Sequence, residues 1–113
     1  MMTDVRLTQT GEQTLDSIES FLQPKLGEED AQEFVINIAQ QAGAAIGANP
    51  LMYPLELSAQ ERGVQLRRWL DPTGKYICLF RYHPQTDTVL LDIFASTRQD
   101  WLSLLYLVQI SRP

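Results

Sequence analysis

Four arginines carry most of the chemistry that residue type and spacing suggest in this sequence: Arg67 and Arg68 together, Arg81, and Arg98. A guanidinium presents a planar fork that matches a carboxylate or phosphate with parallel N–H donors, and it also stacks on aromatic faces. Trp69, Tyr76 and Tyr82 are interleaved with the four. Gathered on one side of a sheet, they would hold a phosphate, a carboxylate or an acidic protein surface; dispersed, they would be edge-strand charges that discourage sheet-to-sheet pairing. Asp100, two residues past Arg98, is spaced to orient it by a salt link that leaves part of the fork free.

No other set of residues converges on a reaction. The single histidine, His83, adjoins Pro84 in a turn and reads as an exposed loop residue. The single cysteine, Cys78, lies mid-strand and reads as a small buried hydrophobe. One of each excludes both an internal disulfide and a zinc set of thiolates and imidazoles. Glu28, Glu29 and Asp30 open a helix, where the dipole favours negative charge. The six glycines are dispersed, so there is no phosphate loop. The sequence therefore assigns no catalytic residue, metal or cofactor.

Charge divides the chain. Residues 1–61 hold two basic and ten acidic side chains, and residues 62–113 hold seven basic and four acidic, so −8 and +3 make the net −5. An acidic protein is a poor general binder of nucleic acid, whose affinity rests on counterion release by clustered cations. No direct nucleic-acid binding is expected, and any anionic partner must meet the C-terminal half.

The elements that must position these residues follow from periodicity. The alternation of Asp4 to Thr8 predicts a first strand. Thr10 and Gln13 fit a capping box, Leu15, Ile18 and Leu22 form one helical stripe, and Pro24 and Gly27 stop that helix. A second helix runs from Glu28 to about Gly47 with Phe34, Ile38, Ala42, Ala45 and Ile46 on one side. The period then becomes two. Val64 to Leu70, Tyr76 to Tyr82 and Val89 to Ala95 read as three antiparallel strands joined by short turns. Val89, Leu91 and Ile93 are expected on one face of the last strand, with Leu90 and Phe94 on the other.

The tail from Trp101 to Ile110 is apolar at eight of ten positions and reads as a short C-terminal helix covering the second face, or as a partner's docking surface. Trp101, Leu104, Leu105 and Val108 share a face, suited to a partner protein or a self-paired dimer. The fold class is thus α+β, an N-terminal strand, a two-helix hairpin, a three-stranded antiparallel sheet and a short terminal helix, in one domain over residues 1–113. The longest apolar run, Leu104 to Val108, is far short of the roughly 20 residues of a membrane span. Met1 to Arg6 lack a secretory signal, so a cytoplasmic location is the expectation.

The segments Val5–Thr8, Leu15–Ile18, Ala31–Phe34, Asn49-Pro50, Leu66–Trp69, Tyr76–Arg81 and Ile93–Asp100, in this order and spacing, resemble the RelE/ParE superfamily of type II toxin–antitoxin toxins along nearly the whole chain. The resemblance implies a cognate antitoxin as partner and one of two activities. The RelE-like branch implies a ribosome-dependent mRNA endonuclease, but Ile77 and Leu104 stand where that branch tends to place an arginine and a tyrosine, with Tyr106 nearby. The ParE-like branch implies inhibition of DNA gyrase by protein binding. Ile93-Phe94, Arg98-Gln99-Asp100 and Trp101-Leu102 repeat most of its closing pattern, with Ala95 or Ser96 where it has a histidine. The expectation is therefore a ParE-like toxin that contacts its target through Arg67, Arg68, Arg81, Arg98 and Asp100 and its antitoxin through Trp101, Leu104, Leu105 and Val108. The alternatives are the nuclease and an inactive protein-interaction module of the same fold.

Overall fold

The computed structural model describes residues 3–61, 63 and 65–98. Strand β1 (Asp4–Leu7) leads into helices α1 (Gln9–Leu26) and α2 (Glu28–Ala48), then a 3-10 turn (Pro50–Met52), the single-turn helix α3 (Leu57–Gln60) and strands β2 (Arg67–Leu70), β3 (Tyr76–His83) and β4 (Thr88–Ser96). The chain is α+β. No helix among the described residues is long and apolar enough to cross a membrane.

The sheet corrects one expectation. β2, β3 and β4 pair antiparallel as read from their short turns, but β1 adds to β4 in parallel, giving a four-stranded mixed sheet of order β1-β4-β3-β2. The two long helices between β1 and the other strands form the crossover that a parallel pairing requires. The expected C-terminal helix lies outside the described residues.

Local chemistry sets the helix bounds. Thr8, not Thr10, caps α1: its Oγ accepts the Gly11 N–H at 3.0 Å, while its own hydroxyl donates to the Leu91 carbonyl at 3.1 Å. Thr10 is instead fully buried in the first turn. Pro24 does not stop the helix, because the Gly27 N–H still reaches the Gln23 carbonyl at 2.8 Å across it and only one backbone donor is lost. The turn between helices shrinks to Gly27, whose φ of 88° suits glycine.

The hairpin covers one face of the sheet. Leu15 and Ile18 of α1 and Val35, Ile38, Ala42 and Ile46 of α2 bury themselves against Trp69, Cys78, Phe80, Val89, Leu91 and Phe94. The buried stripe of α2 is Ala31, Val35, Ile38, Ala42 and Ile46, so the expected Phe34 and Ala45 lie at its part-buried margin. On the other face Ile77, Leu79, Ile93 and Ala95 cluster with Ala59 and Leu66. The segment around α3 therefore contributes to that face, a role absent from the sequence reading.

A bulge in β4 overturns the expected facing of its side chains. Leu79 pairs with Ile93 and Phe80 with Leu91, so Asp92 has no partner in the register. The extra residue reverses the alternation. Phe94 joins Val89 and Leu91 under the helices, and Ile93 turns to the opposite face.

Candidate functional site

The strands do not bring the four arginines together. Directly paired residues share a face, and Arg67 pairs with Phe80 whereas Arg68 pairs with Leu79. Arg67 consequently lies on the helix side, where its Nη1 donates to the Tyr53 carbonyl at 2.6 Å. Arg68 lies on the other side, half exposed, with Nη1 3.7 Å from Oε1 of the largely covered Glu56. Its backbone also holds this loop, through the Arg68 N–H to the Pro54 carbonyl at 2.9 Å.

Arg81, next to Phe80, shares the face away from the helices and grips Asp92, the bulged residue. Burial pushes the Asp92 carboxyl above its ordinary value, against the hydrogen bond and charge of Arg81, which pull it down. Arg98 stands past the end of β4, exposed, with its backbone N–H on Ser96 Oγ at 3.2 Å. Its guanidinium has no partner among the described residues. Asp100, Trp101, Leu104, Leu105 and Val108 lie outside the described residues.

Asp71, Cys78 and Tyr82 serve the fold. Asp71 accepts from Thr73 Oγ at 2.7 Å and from the backbone N–H groups of Thr73, Lys75 and Tyr76, tying the β2–β3 turn. Burial raises its carboxyl, but these bonds together bring it below the ordinary value. Burial pushes the Cys78 thiol well up, leaving it unreactive, with Asp92 adding to the effect. The Tyr82 hydroxyl donates to Asp87 at 2.8 Å, and that bond raises its phenol, with further contributions from burial and the Asp87 charge. His83 is exposed at the end of β3. No group of three or more histidine, cysteine, aspartate or glutamate residues among the described residues could hold a metal ion.

A groove of about 690 Å³ lies where α1 passes the ends of β3 and β4. Ile18, Phe21 and Leu22 line its apolar side, Tyr76 stands at the strand end, and Lys25, Lys75 and Arg98 bring positive charge. Two of these cations were missed in the sequence. The available signal for Lys25 was its i, i+4 spacing from Phe21, over whose ring Nζ sits 4.4 Å from the centroid. Lys75 gave none, because its approach to Arg98 depends on the hydrogen bonds of Thr97 to Lys75 and Gly74. No protein-family model matches the chain, and no curated protein matches it.

Proposed function

We propose that the chain is the toxin of a type II toxin–antitoxin pair, of the ParE-like kind, which arrests growth by binding DNA gyrase and performs no chemistry of its own. The observation that carries the reading is a strand, two long helices and then, after a 3-10 turn and a single-turn helix, three strands, with the helical hairpin laid on one face of the sheet. This is the order on which the resemblance to the RelE/ParE superfamily rests.

The state of the arginines favours binding over cleavage. A nuclease needs groups free to move a proton and to stabilise charge at the scissile phosphate. Arg67, Arg68 and Arg81 are engaged by the Tyr53 carbonyl, Glu56 and Asp92. Arg98 is the first candidate for target contact and the half-exposed Arg68 the second, while Arg67 and Arg81 position the sheet. The antitoxin would dock through Trp101, Leu104, Leu105 and Val108, and the toxin would act in the cytoplasm.

Induced expression in a bacterial host tests the reading. The expected result is growth arrest with a DNA-damage response and intact transcripts, and inhibition of supercoiling by purified gyrase. Ribosome-dependent cuts in translated messages with no effect on gyrase would overturn it in favour of the nuclease. Normal growth at full expression without an antitoxin would overturn it in favour of an inactive interaction module.

A further inference from the structure

The groove beside α1 reverses the sign of the surface around it. Lys25, Lys75 and Arg98 line it, and no carboxylate does so among the described residues. The neighbouring turns of the hairpin are acidic, with Glu12, Asp16 and Glu19 on α1 and Glu28, Glu29 and Asp30 at the start of α2. None of the three cations has a carboxylate partner among the described residues. They also have a firm base: the Thr97 N–H donates to the Lys75 carbonyl at 2.9 Å and its hydroxyl to the Gly74 carbonyl at 3.2 Å, fixing the segment that carries Arg98 to the turn that carries Lys75.

Beneath this charge the groove is apolar. Ile18, Phe21 and Leu22 recur on one face of α1, and Phe21 is 65% exposed, a large ring left to water. Lys25 Nζ covers it in an exposed cation–π contact that an incoming anion can replace. The volume of about 690 Å³ lies in the range of about 300–1,000 Å³ typical of small-ligand sites.

We propose that this groove binds a small amphiphilic anion: an aliphatic or aromatic body bearing one carboxylate or phosphate group. The body rests on Ile18, Phe21 and Leu22, and the anionic group lies between Lys75 and Arg98 with Lys25 closing over it. A nucleic-acid strand is a poorer occupant, since its backbone would leave the groove across the carboxylates of α1. The site goes beyond the toxin reading and stands whether or not the chain binds gyrase.

The test uses the full chain and 1-anilinonaphthalene-8-sulfonate, an aromatic body with one sulfonate. Its fluorescence should rise saturably, and amide shifts should concentrate at Phe21, Lys25, Lys75 and Arg98. Octanoate, octyl phosphate or both should displace it, and which one does so identifies the preferred anionic group. Lys75→Glu with Arg98→Glu should weaken the probe by about tenfold or more while leaving uncharged N-phenyl-1-naphthylamine unaffected. Should circular dichroism show that this variant is unfolded, Lys75→Gln with Arg98→Gln takes its place. Unchanged probe affinity in a folded variant, equal loss of the uncharged compound, shifts centred elsewhere, or displacement by neither competitor would each overturn the proposal.

Discussion

Arg81 and Asp92 meet through two arms, Nε to Oδ2 at 2.5 Å and Nη2 to Oδ1 at 2.9 Å, with 1% of the Asp92 side chain exposed. Removing the guanidinium strands a buried carboxylate. Arg81→Ala should destabilise the protein by about 3–5 kcal/mol in urea unfolding at neutral pH. The double variant Arg81→Met with Asp92→Leu should recover most of that loss, since apolar residues of similar size remove the unpaired charge. The cost of Arg81→Ala should also shrink in acid. Asp92 already sits above 3.8, so its contribution is full below that pH and is lost as pH rises through the folded-state value. Loss of Arg81 lifts that value further.

Asp71 predicts the opposite slope. Its folded-state value lies below 3.8, so the stability it contributes is present above that pH and disappears as pH falls through the lowered value. Asp71→Ala should cost about 1–3 kcal/mol near neutrality, the scale of hydrogen bonds to a charged acceptor lost together. Denaturant midpoints of wild type and variant should converge as the pH falls well below 3.8.

Two glycines on the hairpin should respond with opposite signs. A Cβ on Gly11 would lie 2.4 Å from the Leu91 carbonyl oxygen and 2.8 Å from Leu7 Cδ1, against backbone that cannot yield cheaply. Gly11→Ala should therefore destabilise by about 1–3 kcal/mol despite alanine's helix preference. A Cβ on Gly43 meets only Val5 Cγ1 at 3.7 Å, an ordinary contact. Gly43→Ala should stabilise by about 0.4–1 kcal/mol, and thermal midpoints of the pair check both.

Arg98→Ala should abolish growth inhibition while changing stability by less than about 0.5 kcal/mol, as expected of an exposed residue at the sheet's end. The paired measurement is colony formation under induction beside a thermal melt. Full toxicity in the variant removes Arg98 from the target surface, and a lowered melting midpoint assigns it to the fold.

The elements themselves were legible because their signals are local. The acidic start and apolar spacing of α2 marked Glu28–Ala48 to within about a residue, and period-two runs marked β3 and β4. The expected gathering of Arg67 and Arg68 on one side of the sheet ran against the same rule, since neighbours in a strand point to opposite sides, as the pairings with Phe80 and Leu79 show. What periodicity could not carry was register. The parallel seat of β1 beside β4, the bulge at Asp92 and the meeting of Lys75 with Arg98 arise from pairings between distant segments. The groove depends on such pairings, so of its three cations the sequence reading singled out only Arg98.

The pairing of β1 with β4 also gives the molecule a clock. The Thr3 hydroxyl donates to Asp87 across 84 positions, and Val5 finds Val89 beside it. A ribosome adding about 5–20 residues per second takes roughly 4–17 s to cover that gap. Both helices are complete by Ala48, well before β2 begins at Arg67, so their apolar side is synthesised ahead of the strands that cover it. The α1–α2 and β2–β3 pairings join neighbouring segments, whereas the seats of β1 and of both helices on β4 close only over the long loop and so come last. A chain cut short before Thr88 would lack β4, and with it the strand on which β1 pairs and one of the two neighbours of β3.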